Sequence, residues 1–161
     1  MPAAEAGGTF LALGFCLGAG RYFLEVARII EVVPWVELRK IPLTAACVAG
    51  LLNYRGTVAP VIDLAELLEQ RPAADRLSSR IILVKYPGKD GSSHVLGLLA
   101  EKVLEVKKIS TTALTEPGLA VEAAPYLGKV DLETGGLDQL IELEKLLPES
   151  LQAQLFAAVQ T

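Results

Sequence analysis

The stretch IPLTAACVAGLLNYRGTVAPVIDLAELL, residues 41–68, decides how the rest of the chain is read. It starts beside Pro42, runs through GLLNYRG (50–56) and ends in TVAPVIDL (57–64) and a leucine-rich tail. Nearly every residue is apolar, yet Arg55 stands in the middle. An arginine between two apolar segments must be paired or must reach water. Residues 45–54 and 57–62 read as two paired strands, with Arg55 and Gly56 as the turn. Glycine supplies the positive φ that a tight hairpin calls for. Asp63 stands three residues before Glu66, with Leu64, Leu67 and Leu68 behind it. This is a capping-box-like helix start with a short apolar face, so Asp63 reads as a cap rather than a catalytic acid.

Toward the N-terminus, Leu11, Leu13, Phe15 and Leu17 recur at period two, which predicts a strand with all four on one face. Gly18, Ala19 and Gly20 make a turn. Residues 21–24 and 28–33 are two further strands, the second ended by Pro34, which cannot donate to a ladder. Toward the C-terminus, 70–79 is a polar surface loop and 81–84 a buried strand. Residues 86–93 are a hairpin loop, 95–106 one long or bent strand, and 109–125 irregular. Residues 127–132 and 137–142 form a last hairpin, with Asp131 and Glu133 as solvated turn residues. Leu143, Leu146 and Leu147 predict one helical turn before Pro148. Ser150 then caps a final helix carrying Leu151, Leu155 and Val159 on one side. Many short strands with regular turns predict barrel-like, mainly β architecture.

Composition narrows the function. Of 161 residues, 52% are hydrophobic and 21% charged, enough for a buried core in one domain or two joined subdomains. A net charge of −4 weighs against nucleic acid or an anionic membrane as partner. No uncharged apolar run approaches the roughly 18 residues of a membrane span. The opening MPAAEAGGTF lacks a basic segment followed by an apolar one, so no signal peptide is expected. Cys16 and Cys47 lie in apolar runs and read as buried thiols in a reducing compartment. The single histidine, His94, reads as a solvated loop residue without companions at metal-ligand spacing. With no glycine-rich phosphate loop either, there is little material for an enzyme, a metal or a cofactor. A small-barrel nucleic-acid binder would need a basic groove with stacking aromatics. Arg39-Lys40 and Lys107-Lys108 are too small for that. Trp35, after Pro34, reads equally as a binding anchor and as packing over a barrel end.

From Phe10 to about Leu147 the order of motifs resembles the CheW coupling proteins of bacterial chemotaxis. The pieces are FLALGF (10–15), YFLEV (22–26), IIEV (29–32), IP (41–42), GLLNYRG (50–56), VAPVIDL (58–64), RIILV (80–84) and VLGLLAEKV (95–103). The resemblance implies a mainly β fold of two intertwined five-stranded SH3-like β-barrel subdomains with short helices. They would span 9–148, between a flexible tail at 1–8 and a C-terminal helix or tail at 149–161. It implies a non-enzymatic, cytoplasmic adapter that links the tips of methyl-accepting receptors to the regulatory domain of the histidine kinase CheA. Other CheW-like proteins are further candidate partners, with no nucleic acid and no membrane insertion. The chain has no room for the kinase's other domains and no receiver domain follows, so the free-standing adapter is expected. Chemotaxis, twitching motility and surface sensing all use such adapters. Phe23 stands where the family often has glycine, and Tyr54 where leucine is commoner. Residues 86–93 and 112–125 follow no tight pattern.

By motif match, the receptor or kinase surface would include Val26, Ile29, Glu31, Gly50, Arg55, Ile81, Ile82, Leu96, Gly97, Val103 and Val106. Each aliphatic residue reads equally as core, because core and groove share one composition. Gly50 and Gly97 also read as turn or bulge glycines. The match makes Glu31 the partner of Arg55, since a guanidinium and a carboxylate can form two parallel charge-assisted bonds. A structural pair and a direct receptor contact both remain open for Arg55.

Overall fold

Successive side chains of a strand point to opposite faces, so a continuous apolar run such as IILV needs a core on each side. The computed structural model describes residues 8–42, 44–74, 77–88, 91–118, 124–132 and 136–159, and it supplies those cores. Its strands are β1 (Thr9–Leu17), β2 (Gly20–Glu25), β3 (Ile29–Pro34), β4 (Val48–Tyr54), β5 (Thr57–Asp63) and β6 (Arg80–Pro87). They continue as β7 (Ser93–Ala100), β8 (Lys102–Ser110), β9 (Leu114–Thr115), β10 (Leu127–Asp131) and β11 (Asp138–Ile141). The helices are α1 (Leu64–Glu69) and α2 (Glu149–Val159), with short 3₁₀ turns at Val26–Arg28, Thr111–Ala113 and Leu143–Lys145.

One sheet has the order β8-β1-β2-β11-β10-β9, the other β3-β6-β7-β5-β4. The chain starts in the first, builds all of the second, and returns, so the two are intertwined. The fold is mainly β and fits two SH3-like subdomains. The first sheet has six strands rather than five, because the two-residue β9 adds to β10.

The alternation along each strand feeds three cores. Ala12, Phe23 and Ile109 pack on one face of the first sheet, with Phe10, Leu114 and Leu140. Phe23 is thus an internal residue, its ring stacked 6.4 Å from that of Phe10. Ala59, Val61, Ile81, Leu83 and Leu99 pack on one face of the second sheet. Between the sheets lies the largest core. Leu13, Phe15, Leu17 and Leu24 there meet Ile62, Ile82, Val84, Leu96 and Leu98.

Residues 95–106 are not one strand. The chain breaks at Glu101, where it leaves the second sheet for the first. The Glu101 carboxylate accepts the Gly18 N–H at 2.6 Å, the Ala74 N–H at 2.6 Å, and Arg71 Nη1 and Nη2 at 2.6 and 2.9 Å. These donors come from the β1–β2 turn and from the segment after α1, so one side chain holds both sheets. Asp63 caps α1 as expected, accepting the Ala65 and Glu66 N–H groups through Oδ1. Its Oδ2 accepts the Ala73 N–H as well.

Other departures share a cause in long-range packing. His94 lies in β7 opposite Tyr86, not in a loop, because pairing continues to Pro87 and Ser93. Its ring stacks on Phe156 of α2, with centroids 4.1 Å apart. Ser150 lies inside α2, which starts at Glu149. Leu151 and Leu155 are buried, while the side chain of Val159 falls outside the described residues. Asp131 is buried, not solvated, because Lys107 Nζ reaches it from β8 and also lies 2.9 Å from buried Asp138. Glu133 falls outside the described residues.

Four donors around Glu101 hold its carboxyl at about 2, against an ordinary 4.5, chiefly through the Arg71 bonds. A depressed pKa contributes stability that is fully present above about 4.5 and is lost as pH falls toward 2. Denaturant midpoints should therefore drop through that window. Glu101→Gln should lower stability at neutral pH by roughly 3 kcal/mol and flatten the acid limb. An unchanged acid limb in that variant would refute the assignment.

Candidate functional site

The sequence motif around Arg55 folds into a two-residue hairpin turn. Arg55 has φ 51° and Gly56 φ 86°, the pattern of a type I′ turn. Asn53 Oδ1 accepts the Gly56 N–H at 2.9 Å and fixes the backbone. Arg55 Nη2 lies 3.1 Å from Glu31 Oε1, and the Tyr54 hydroxyl donates to the same oxygen. The Arg55 guanidinium carbon stands 5.2 Å from the centroid of the Tyr54 ring. The bond to Glu31, aided by burial, raises the phenol's pKa above its ordinary 10.0. Tyr54 is therefore a donor across the neutral range.

Glu31 is aimed by a bulge. In β3, Ile29 pairs with Val84 and Glu31 with Leu83, so Ile30 is an extra residue. Without it, Ile29 and Glu31 would share a face. With it, Ile29 packs on the core between the sheets and Glu31 turns toward Tyr54. Strands β3 and β4 are the two edges of the second sheet. The Glu31 cluster thus bridges edge to edge and closes that sheet. In the first sheet Lys107 ties the edge strand β8 to the interior strands β10 and β11 through Asp131 and Asp138. Arg21 Nε adds an ionic contact of 2.9 Å to Asp138 Oδ1.

The remaining candidates separate by depth. Ile81, Ile82 and Leu96 are fully buried. Gly97 and Gly50 lie in one cross-strand row, Glu31–Leu83–Gly97–Val61–Gly50. A Cβ on Gly97 would stand 2.9 Å from both Ile81 Cγ2 and Val61 Cγ2. One on Gly50, at φ 149°, would stand 2.7 Å from the Arg39 carbonyl oxygen, which pairs with the Leu51 N–H. Both glycines therefore permit close packing.

Val26, Ile29 and Val103 are half-buried against the core between the sheets. A second bulge, in β8, pairs Val103 with Phe15 and Val106 with Leu13. It puts Val103 and Val106 on one face although they are three residues apart. Val106 is 51% exposed, and so is Leu11, its diagonal neighbour across the ladder. Leu11 shares a strand with buried Leu13, Phe15 and Leu17 but lies beyond the core; period-two alternation carries no mark of where a core ends. The result is a continuous apolar strip that leads from the intersheet core out to solvent.

Residues 11–151 match the family model of the CheW-like domain. The chain belongs to the CheW-like family. It is 27% identical over 127 residues to a chemotaxis protein CheW of Klebsiella aerogenes, covering 74% of this chain and 76% of that one. It is 32% identical over 143 residues to protein FrzA of Myxococcus xanthus, covering 86% of each. Among solved structures, the scaffolding protein TtCheW of Thermoanaerobacter tengcongensis superposes with a TM-score of 0.77 at 26% identity. That match covers 89% of this chain and 96% of the other. This CheW-like chain is thus a coupling or scaffold protein of the chemotaxis type, a family of scaffolds rather than enzymes. Among the described residues, no helix is long and apolar enough to cross a membrane.

The packing around Gly97 yields a direct test. Gly97→Ala should cost about 1–3 kcal/mol by overpacking, read as a lower urea midpoint with an unchanged slope. A variant as stable as the unaltered protein would show that the row has room to spare.

Proposed function

We propose that this chain is a non-enzymatic adapter that couples the signalling tips of methyl-accepting receptors to a CheA-type histidine kinase. The observation that carries the reading is the apolar strip of Val26, Ile29, Val103, Val106 and Leu11. It stays open to solvent while continuous with the core between the sheets. A rigid apolar seam with a charged rim suits an amphipathic helix laid into it, and receptor tips are helical hairpins. In this reading Ile82 and Leu96 support the strip from the core between the sheets, while Ile81 and Gly97 pack on the other face of the second sheet, where Glu31 and Arg55 also lie; Gly50 holds the same cross-strand row. The kinase's like-folded regulatory domain, and other CheW-like proteins, would meet the chain barrel to barrel. The protein would work in the cytoplasm beside the receptor array. The relatives' chemotaxis names support the pathway class.

Binding of the whole chain to a receptor signalling domain and to a CheA regulatory domain, measured by calorimetry, tests the proposal. The exposed variants Leu11→Asp and Val106→Asp should weaken receptor binding by tenfold or more, on the order of 1.4 kcal/mol, with melting temperatures close to that of the unaltered chain. Absence of binding to either domain would overturn the reading.

A further inference from the structure

The first sheet is open at the end where the chain enters it. Strand β1 starts there at Thr9. Its neighbours finish there, because β2 and β8 run antiparallel to β1, and β11 runs parallel to β2. Beside these ends lies a cavity of about 560 Å³, within the size range of ligand-binding clefts. Its apolar wall joins two cores. Leu24 belongs to the core between the sheets, while Leu114 and Leu140 pack with Phe23 on the other face of the first sheet. The segment ahead of β1 leaves the sheet beside this cavity. β1 stands between β8 and β2, and residues at the ends of both neighbours line the space. The β1–β8 ladder ends at Thr9 and Ser110, where β8 gives way to the 3₁₀ turn at Thr111–Ala113. Thr111 then holds the Gly8 carbonyl twice, through its N–H at 2.9 Å and its hydroxyl at 3.0 Å. Thr111 is itself part of the cavity wall.

We propose that residues 1–7, MPAAEAG, fold back from Gly8 as an intramolecular strap that fills this cavity, with Glu5 paired to Lys129. The proposal is independent of the adapter reading. Seven extended residues reach about 23 Å, enough to cross the cavity. The alanines and Pro2 bring small apolar side chains to an apolar wall, and proline carries no N–H that would need a partner. Glu5 is the one charged side chain of the segment. Of the cations lining the cavity, Arg28 is already paired with Glu144 and Lys145 with Glu142. Lys129 makes no ion pair among the described residues, so it is the cation open to Glu5. Seated there, the strap covers Leu24, Leu114 and Leu140 and shuts this end of the sheet to other chains. A partner that used the cavity would first have to displace it.

The test compares amide hydrogen exchange in the whole chain, in a chain lacking residues 2–7, in Glu5→Lys, in Lys129→Glu and in the double Glu5→Lys/Lys129→Glu. Thermal melts check folding. Amides of residues 111–114 and 140–142 report on the cavity, and those of β6 and β7 serve as the reference. Removing residues 2–7 should speed exchange at the cavity about fivefold and leave the reference unchanged. Each single charge reversal should speed it about twofold at low salt, and the double reversal should restore it. Cavity exchange that is unchanged without residues 2–7 overturns the proposal. So does a rise of equal size in β6 and β7, which would mark a general loss of stability. If the shortened chain does not fold, the full-length charge reversals decide. Single reversals without effect, or an effect that the double reversal does not restore, overturn the seating of Glu5 on Lys129. Protection at the cavity that grows with protein concentration would put the segment in a second copy and overturn the intramolecular strap.

Discussion

The Glu101 carboxylate makes one molecule of two sheets. It stands where the chain crosses from β7 to β8, and its four donors come from segments that belong to different sheets. A buried charge is costly unless every lone pair is used. At 7% exposure, with the Gly18 and Ala74 amides and the Arg71 fork around it, that condition is met. The Ser78 hydroxyl also donates to the Glu101 carbonyl, so the crossover is held through both backbone and side chain. The core between the sheets forms in one register because this point fixes how β8 re-enters beside β1.

Given that anchor, the remaining polar groups act mainly on the sheet edges. Exposed edge strands invite pairing with other chains. Here charge ties the two edges of the second sheet together and one edge of the first to its interior strands. Glu31 takes Tyr54 and Arg55 across the second sheet, and Lys107 takes Asp131 and Asp138 across the first. The two clusters differ in exposure. Both aspartates are buried and serve the fold. Arg55 is open to solvent, on a turn that asparagine would fill at less strain.

Much of this was legible in the residues. The hairpin at 45–62, the Asp63 cap and the last hairpin at 127–142 follow from local chemistry that acts over a few positions, and the motif order names the family. What stayed hidden has two physical sources. The first is the bulge. One extra residue at Ile30 turns Glu31 away from Ile29, and another in β8 brings Val103 and Val106 to one face. Neither leaves a signature in a period-two pattern. The second is that strands such as β6 and β7 lie between two cores. Ile81 and Leu83 serve the inner core of the second sheet, while Ile82 and Val84 serve the core between the sheets. Composition cannot tell these faces apart, nor tell either from a groove. Partners far apart in sequence, such as His94 with Phe156 and Arg71 with Glu101, were invisible for the same reason.

A protein that works by contact gains most from surfaces already in place, since ordering side chains on binding subtracts from affinity. The exposed strip meets that condition. Val103 and Val106 stand on a strand paired along its length with β1, and Val26 opens, and Ile29 follows, the 3₁₀ turn that carries the chain into the second sheet. Their backbone is held by ladders and by the crossover at Glu101, so little freedom remains to be lost. The strip is also an extension of the core that joins the sheets. A helix seated there would pack against residues from both, and would feel any shift of one sheet against the other. That is a physical route by which contact alone would relay a change: a partner seated at the joint would press on the part of the fold where the two sheets meet.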